Sequence, residues 1–191
     1  MKLNARELRD VKEEDITEKL KTIKRRPLYF ILENIYDTYN IGGLFRLADA
    51  LAIEKMYICG ESEIPPNSKI KKASIGTYKV VPWEYKKTAK EAIDDLKSGA
   101  KISAVKSSPF DQAEAAEVKI IAVEQHPTSI SYQKVDYSLP VALIFGNETY
   151  GVTEDTLKLC DKIVEIPMWG INKSLNVIVS AAIISYWIVN K

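Results

Sequence analysis

Two five-residue runs, LYFIL at 28–32 and VALIF at 141–145, are apolar at every position. A strand wetted on one face alternates apolar and polar residues, so a strand apolar throughout must be covered on both faces. Runs this short predict buried strands rather than helices. Between them, IGGLFRLADAL places Leu44, Leu47, Ala48 and Leu51 at i, i+3, i+4 and i+7, the stripe of an amphipathic helix. Further strands are predicted at 55–59, 78–82, 119–123 and 162–166. Helices are predicted over 86–96, 153–160 with Thr153 as cap, and 174–190, the last apolar all round and so buried on several faces. Asn40 stands where the N-cap of the 41–51 helix would be. GESEIPPNSK at 60–69 reads as a loop, and FDQAEAAEV at 110–118 as a short helix within an ambiguous tract. Alternation of strand and helix defines an α/β fold, a mostly parallel sheet flanked by helices. In such sheets ligands sit beyond the carboxyl ends of the strands.

Residues 4–26 are dense in Glu, Lys, Arg and Leu and read as one helix ended by Pro27. This gives an N-terminal helical arm, 1–26, ahead of a main domain, 27–191. The arm ends in Lys19, Lys21, Lys24, Arg25 and Arg26. Such a cluster is either a solvated face suited to a helix C-terminus or a phosphate-contacting patch.

The 191 residues suit one domain, and 46% hydrophobic content provides a core and argues against disorder. A net charge of +1 offers no global field for non-specific nucleic-acid coating. Cys59 and Cys160 form no CxxC, and His126 is the sole histidine, so a metal site is not expected. The longest apolar run, 177–189, is shorter than the roughly 20 residues of a membrane span. No signal peptide is evident in the charged first 26 residues. The expectation is a cytoplasmic protein with reduced thiols and no membrane partner.

Three segments carry chemistry. In NIYDTYNIGGLFRLADA (34–50), Gly42 and Gly43 weaken a helix but permit close approach of another group. Arg46 lies off the apolar stripe; the plain reading pairs it with Asp49 on the surface. In IFGNETYGVTEDTL a strand ends in Gly146, Asn147 and Glu148, which is either a turn or a ligand site. In EIPMWGINKSLNVIVSAAII a strand yields to a loop and a helix opened by Ser174, Leu175 and Asn176. Free N–H groups at that helix start would hold an anion, or Ser174 and Asn176 simply cap it. No GxGxxG follows the first strand, which disfavours a dinucleotide fold.

Together the segments resemble the three motifs of the SpoU family of RNA ribose 2'-O-methyltransferases, within the SPOUT superfamily. They occur in the family's order: N-x-x-x-x-x-N-x-G-x-x-x-R-x-A-x-A, then G-N-E-x-x-G, then I-P-M-x-G with S-L-N-V. KKASIGTYKVVPW also resembles the family's Ser-x-Gly segment at Ser74 and Gly76. The resemblance covers roughly residues 27–190. It implies a C-terminal deep trefoil knot, S-adenosylmethionine as cofactor, and a homodimer with composite sites.

By the resemblance, Gly146 gives the cofactor's loop room, and Asn147, Ile166, Met168, Ser174 and Leu175 help hold the cofactor. Arg46 is the central catalytic residue, and Asn40, Glu148, Ser174 and Asn176 complete the site. The arm and the following segment resemble members that methylate a guanosine ribose in tRNA, so tRNA is favoured over rRNA. A tRNA-wobble enzyme and a non-catalytic knotted binding dimer are the alternatives. Tyr29, Tyr36 and Tyr39 are candidates to stack on bases. Leu47, Ala52 and Ile178 depart from the family's usual residues, and 97–117 looks like an insertion. The expectation is a chain without the separate N-terminal RNA-binding domain that many rRNA-modifying relatives carry.

Overall fold

The structure, a computed structural model, describes residues 2–98 and 117–191. The ambiguous tract at 99–116, with most of the 110–118 helix expectation, lies outside the described residues. The strands are β1 (Arg26–Glu33), β2 (Ile53–Cys59), β3 (Trp83–Lys86), β4 (Lys119–Val123), β5 (Ile130–Ser131), β6 (Val141–Phe145) and β7 (Lys162–Glu165). The helices are α1 (Ala5–Asp10), α2 (Glu13–Lys21), α3 (Thr38–Leu51), α4 (Ser68–Ser74), α5 (Ala89–Ser98), α6 (Glu154–Leu157) and α7 (Val177–Val189). The strands form a single sheet ordered β3-β2-β1-β6-β4-β7-β5, with every pairing parallel.

The all-apolar strands divide their side chains between two cores. Leu28, Phe30 and Leu32 of β1 and Val141, Leu143 and Phe145 of β6 face a core shared with α3 and α7. Tyr29 and Ile31, with Ala142 and Ile144, face the opposite core, shared with α5. Successive side chains leave opposite faces of a strand, so a continuous apolar run becomes two half-cores. Phe30 and Phe145 meet edge to face, centroids 5.3 Å apart, at the sheet centre.

The N-terminal arm is two helices rather than one. An Asn4–Glu7 capping box starts α1, and Val11 takes an extended conformation after it. Pro27 lies inside β1, so the strand begins before the residue expected to end a helix. Leu3, Leu8, Val11 and Leu20 pack on the first core, and Ile16 is buried in it. Lys79 Nζ donates to the carbonyls of Arg9 (3.1 Å) and Val11 (2.7 Å), closing the end of α1. Gly76 is left-handed (φ +88°), and a Cβ there would lie 2.5 Å from the Leu8 carbonyl oxygen. Arg25 is not free to meet phosphate: its guanidinium donates to the carbonyls of Ile53 (3.1 Å) and Val80 (2.7 Å).

Other expectations shift. The strand expected at 78–82 is a 3-10 turn at Thr77–Lys79, and pairing begins at Trp83. Val80 and Val81 are buried from the turn, so their hydrophobicity reports core contact and not strand. The helix expected from 86 starts at Ala89. Asn40 does not cap α3; Asp37 does, accepting the Tyr39 N–H. The last helix starts at Val177, with Asn176 as its cap. Its Ala181, Ile184, Ser185 and Ile188 are buried and Val177, Ile178, Ala182, Trp187 and Val189 pack partly buried on the first core, while Val179 and Tyr186 are exposed. Among the described residues no helix is long and apolar enough to cross a membrane.

Candidate active site

β1, β6, β4 and β7 are neighbours, so the loops leaving their carboxyl ends converge. The loops after β4, β6 and β7 surround a cavity of about 600 Å³. Phe145, Gly146, Asn147 and Glu148 supply one wall, Ile166 and Met168 another, and Ser174, Leu175 and Asn176 a third. The cavity therefore brings together every expected cofactor contact and all the expected catalytic residues except Asn40 and Arg46.

The loop after β6 is built by its own backbone. Asn147 and Gly151 exchange N–H···O=C bonds of 3.0 and 2.9 Å. Asn147 Oδ1 accepts the N–H groups of Thr149 (2.8 Å) and Tyr150 (3.0 Å), and its Nδ2 donates to the Asn34 carbonyl (2.8 Å). A Cβ on Gly146 would lie 2.2 Å from Gly151 C and Val152 N. Gly146 thus makes room for the chain's own returning backbone.

Glu148 ties the motifs together. Its carboxylate accepts the backbone N–H groups of Tyr36 (3.2 Å) and Asp37 (3.1 Å), just before α3, and Asn40 Nδ2 (2.9 Å). Asn40 Oδ1 in turn accepts Asn176 Nδ2 at 2.9 Å, and Asn176 Oδ1 caps α7 by accepting the Ile178 N–H at 2.8 Å. Asn40 is buried, so its amide is fixed in direction. Burial alone would raise the Glu148 carboxyl; the Asn40 amide and the backbone N–H donors outweigh it and hold the group below the usual carboxylate range. The capping reading of Asn176 is correct, and the same side chain also carries the link to Asn40.

Gly42 and Gly43 admit two different neighbours. A Cβ on Gly42 would lie 2.4 Å from Ala73 Cβ and 2.8 Å from Ser74 N, on α4. A Cβ on Gly43 would lie 2.3 Å from Ile178 Cδ1, on α7. Arg46 is exposed on α3 and does not line the cavity of its own chain. It forms no ion pair with Asp49 among the described residues. Ser174 is exposed on the cavity rim. Tyr29 is buried and cannot stack on a base, whereas Tyr36 and Tyr39 are exposed.

Two contributors were not legible in the sequence. Glu124, after β4, lines the cavity and accepts the Val152 N–H at 2.8 Å, which holds the β6 loop down. Asn34 sits in the left-handed region (φ 55°), and its Oδ1 accepts the Glu61 N–H at 3.0 Å. Its place as the first residue of the first motif was the only signal. His126 lies in a loop, Nε2 3.8 Å from Glu154. Burial pushes the Cys59 and Cys160 thiols up to about 12, away from reactivity.

An all-parallel α/β domain with three sequence motifs meeting at the carboxyl edge of its central strands is the architecture of a ligand-binding enzyme domain. Residues 27–186 match the model of the SpoU rRNA Methylase family, and the chain belongs to that family. It is 25% identical over 167 residues to a tRNA (guanosine(18)-2'-O)-methyltransferase of Escherichia coli K12, covering 85% of this chain and 63% of that protein. It is 28% identical over 164 residues to the enzyme of the same description from Thermus thermophilus, covering 85% and 75%. The SpoU methyltransferase AviRb from Streptomyces viridochromogenes, solved in complex with AdoMet, superposes with a TM-score of 0.74. That pair is 24% identical, over 88% of this chain and 58% of the other. The TrmH/SpoU tRNA modifying enzyme of A. aeolicus gives 0.70, at 23% identity, over 91% and 81%. The chain thus spans less than two thirds of the length of the E. coli relative.

Proposed function

We propose that this chain transfers a methyl group from S-adenosylmethionine to a ribose 2'-hydroxyl of RNA, with a tRNA guanosine as the favoured target. The observation that carries the reading is the hydrogen-bonded line Glu148–Asn40–Asn176, which joins all three motifs beside the cavity. The names of the E. coli and T. thermophilus relatives support the choice of tRNA.

The residues present fit the cofactor. A cavity of about 600 Å³ lies within the range of small-molecule sites. Phe145, Ile166, Met168 and Leu175 offer apolar walls to an adenine, and Glu124 and Glu165 offer negative charge to a cationic ligand. S-adenosylmethionine, when bound, supplies a methyl already activated on a sulfonium. Backbone groups of the Gly146–Asn147 loop, and of Ile166, Met168, Ser174 and Leu175, hold it. Arg46 orients a phosphate and the 2'-hydroxyl; a guanidinium offers five donors and no acceptor, so it is assigned no role as the base. Asn40, Glu148 and Asn176 fix the start of α3 against the loops, and Ser174 meets the substrate at the rim.

The position of Arg46, away from its own chain's cavity, supports a C2 homodimer in which it completes the partner's site. The exposed Val179 and Tyr186 on α7 offer apolar surface for that contact. Family membership supports a C-terminal trefoil knot in the 27–191 domain, with 1–26 as its arm, and a cytoplasmic location. The test is tritiated methyl transfer from S-adenosylmethionine into unmodified bulk tRNA and rRNA. Label at one tRNA ribose, lost in Arg46→Ala without loss of thermal stability, is the expected result. No label in either RNA, despite cofactor binding by calorimetry, would replace the reading with that of a binding-only dimer.

A further inference from the structure

We propose that Tyr36, Tyr85 and Tyr150 form a stacking rim for the unpaired bases of RNA beside the methylated nucleotide. The inference rests on the RNA methyltransferase reading above and adds that the substrate must be single-stranded there. All three rings are exposed at the carboxyl edge of the sheet, Tyr36 by 49%, Tyr85 by 42% and Tyr150 by 83%. Tyr85 lies on β3 in register with Ile58 of β2, which pairs with Leu32 of β1, which pairs with Phe145 of β6. Tyr36 follows β1 and Tyr150 follows β6. The strands that carry or lead into the three tyrosines therefore span three strand spacings, about 14 Å at the usual inter-strand distance.

The rim's middle member touches the active site: the backbone N–H of Tyr36 donates to Glu148. Its hydroxyl donates to Glu61 Oε2 at 2.8 Å, and the Tyr85 hydroxyl donates to the Gly60 carbonyl at 3.1 Å. Both rings are thus anchored by their tips to one turn while each residue stays exposed. The Tyr36 hydroxyl is pushed up first by its bond to Glu61 and in part by Tyr150, so the two tyrosines lie within electrostatic reach. Pinning of the turn would account for the two anchored hydroxyls. It does not account for Tyr150, whose hydroxyl has no partner among the described residues and whose backbone N–H is what Asn147 holds. Bases present their faces only when unpaired, and tyrosine rings bind them with little regard to sequence.

The test is fluorescence anisotropy of the full chain with a labelled unstructured RNA and with a blunt RNA duplex of the same sequence. Tyr150→Ala and Tyr36→Ala should each weaken single-strand binding on the order of tenfold, while Tyr150→Phe and Tyr36→Phe stay within about twofold. The wild type should prefer the single strand. Alanine variants that bind as tightly as wild type, or equal affinity for duplex, would overturn the rim. Tyr150→Ala removes a side chain that is largely exposed and makes no hydrogen bond among the described residues, so a thermal melt should match wild type and keep the result interpretable. Methyl transfer measured alongside separates the two ideas. Intact transfer with unchanged alanine-variant binding sinks the rim alone; absent transfer with the binding pattern intact sinks the enzyme reading and upholds the rim.

Discussion

Replacing Asn40 by aspartate exchanges one atom that faces Glu148 and keeps everything else. In the native chain Glu148 accepts three N–H donors, the Asn40 amide among them at 2.9 Å. Asn40→Asp sets an oxygen in place of that donor and puts a second carboxylate against the first. Two such charges about 4 Å apart repel by about 4 kcal/mol in a protein-like medium and about 1 kcal/mol in water. Glu148 is partly exposed, so screening places the expected loss near ~2 kcal/mol at pH 7.

The sign with pH is the sharper signature. In the native chain the folded pKa of Glu148 is lowered, so its contribution is present above the unfolded value of about 4.3 and fades as pH falls through the folded value. In the variant the pair holds one proton more firmly folded than unfolded, so the pair's contribution is greatest in acid and is lost as pH rises through the raised pKa. Urea melts of wild type, Asn40→Asp and Asn40→Ala between pH 4 and 8 measure this. An Asn40→Asp chain with wild-type stability at pH 7, or with a wild-type slope in acid, would refute the claim that an ionised Glu148 depends on the Asn40 donor.

Ala52 ends α3 in the left-handed region (φ 50°, ψ 48°), which costs a non-glycine residue roughly 1–2 kcal/mol. After the extra entropy glycine loses on folding, Ala52→Gly should gain about 0.5–1 kcal/mol, read as a higher Tm. Gly42→Ala forces a Cβ into Ala73 and the Ser74 backbone and should cost about 1–3 kcal/mol in a urea melt. Gly43→Ala meets only the flexible end of Ile178 and should cost less; equal losses would contradict the packing described. Cys59 and Cys160, both pushed up to about 12, should react with a thiol reagent at pH 8 only as the chain unfolds.

The sheet and its two-sided cover were legible because LYFIL and VALIF are apolar at every position, and only burial on both faces tolerates that. The site's neighbourhood was legible because three motifs follow strands or open helices. Strand order, which decides that the loops after β1 and β6 touch, depends on pairing between residues over a hundred positions apart, such as Leu32 and Phe145. Local pattern carries no record of such pairing. The same limit explains the misreadings. Asn40 has the side chain of a cap, and Val80 and Val81 have the side chains of a strand. Asp37 stood closer to the free N–H groups of α3, and the left-handed Gly76 turned the chain before the valines. Asn40 was thereby left free to join Glu148 to Asn176, and Glu124 came to hold the β6 loop. Local composition and periodicity decided which segments are strands and helices, since they depend only on which side chains seek the core. Which polar groups meet was decided by the tertiary structure, because buried hydrogen bonds form between whatever partners the packed sheet brings within reach.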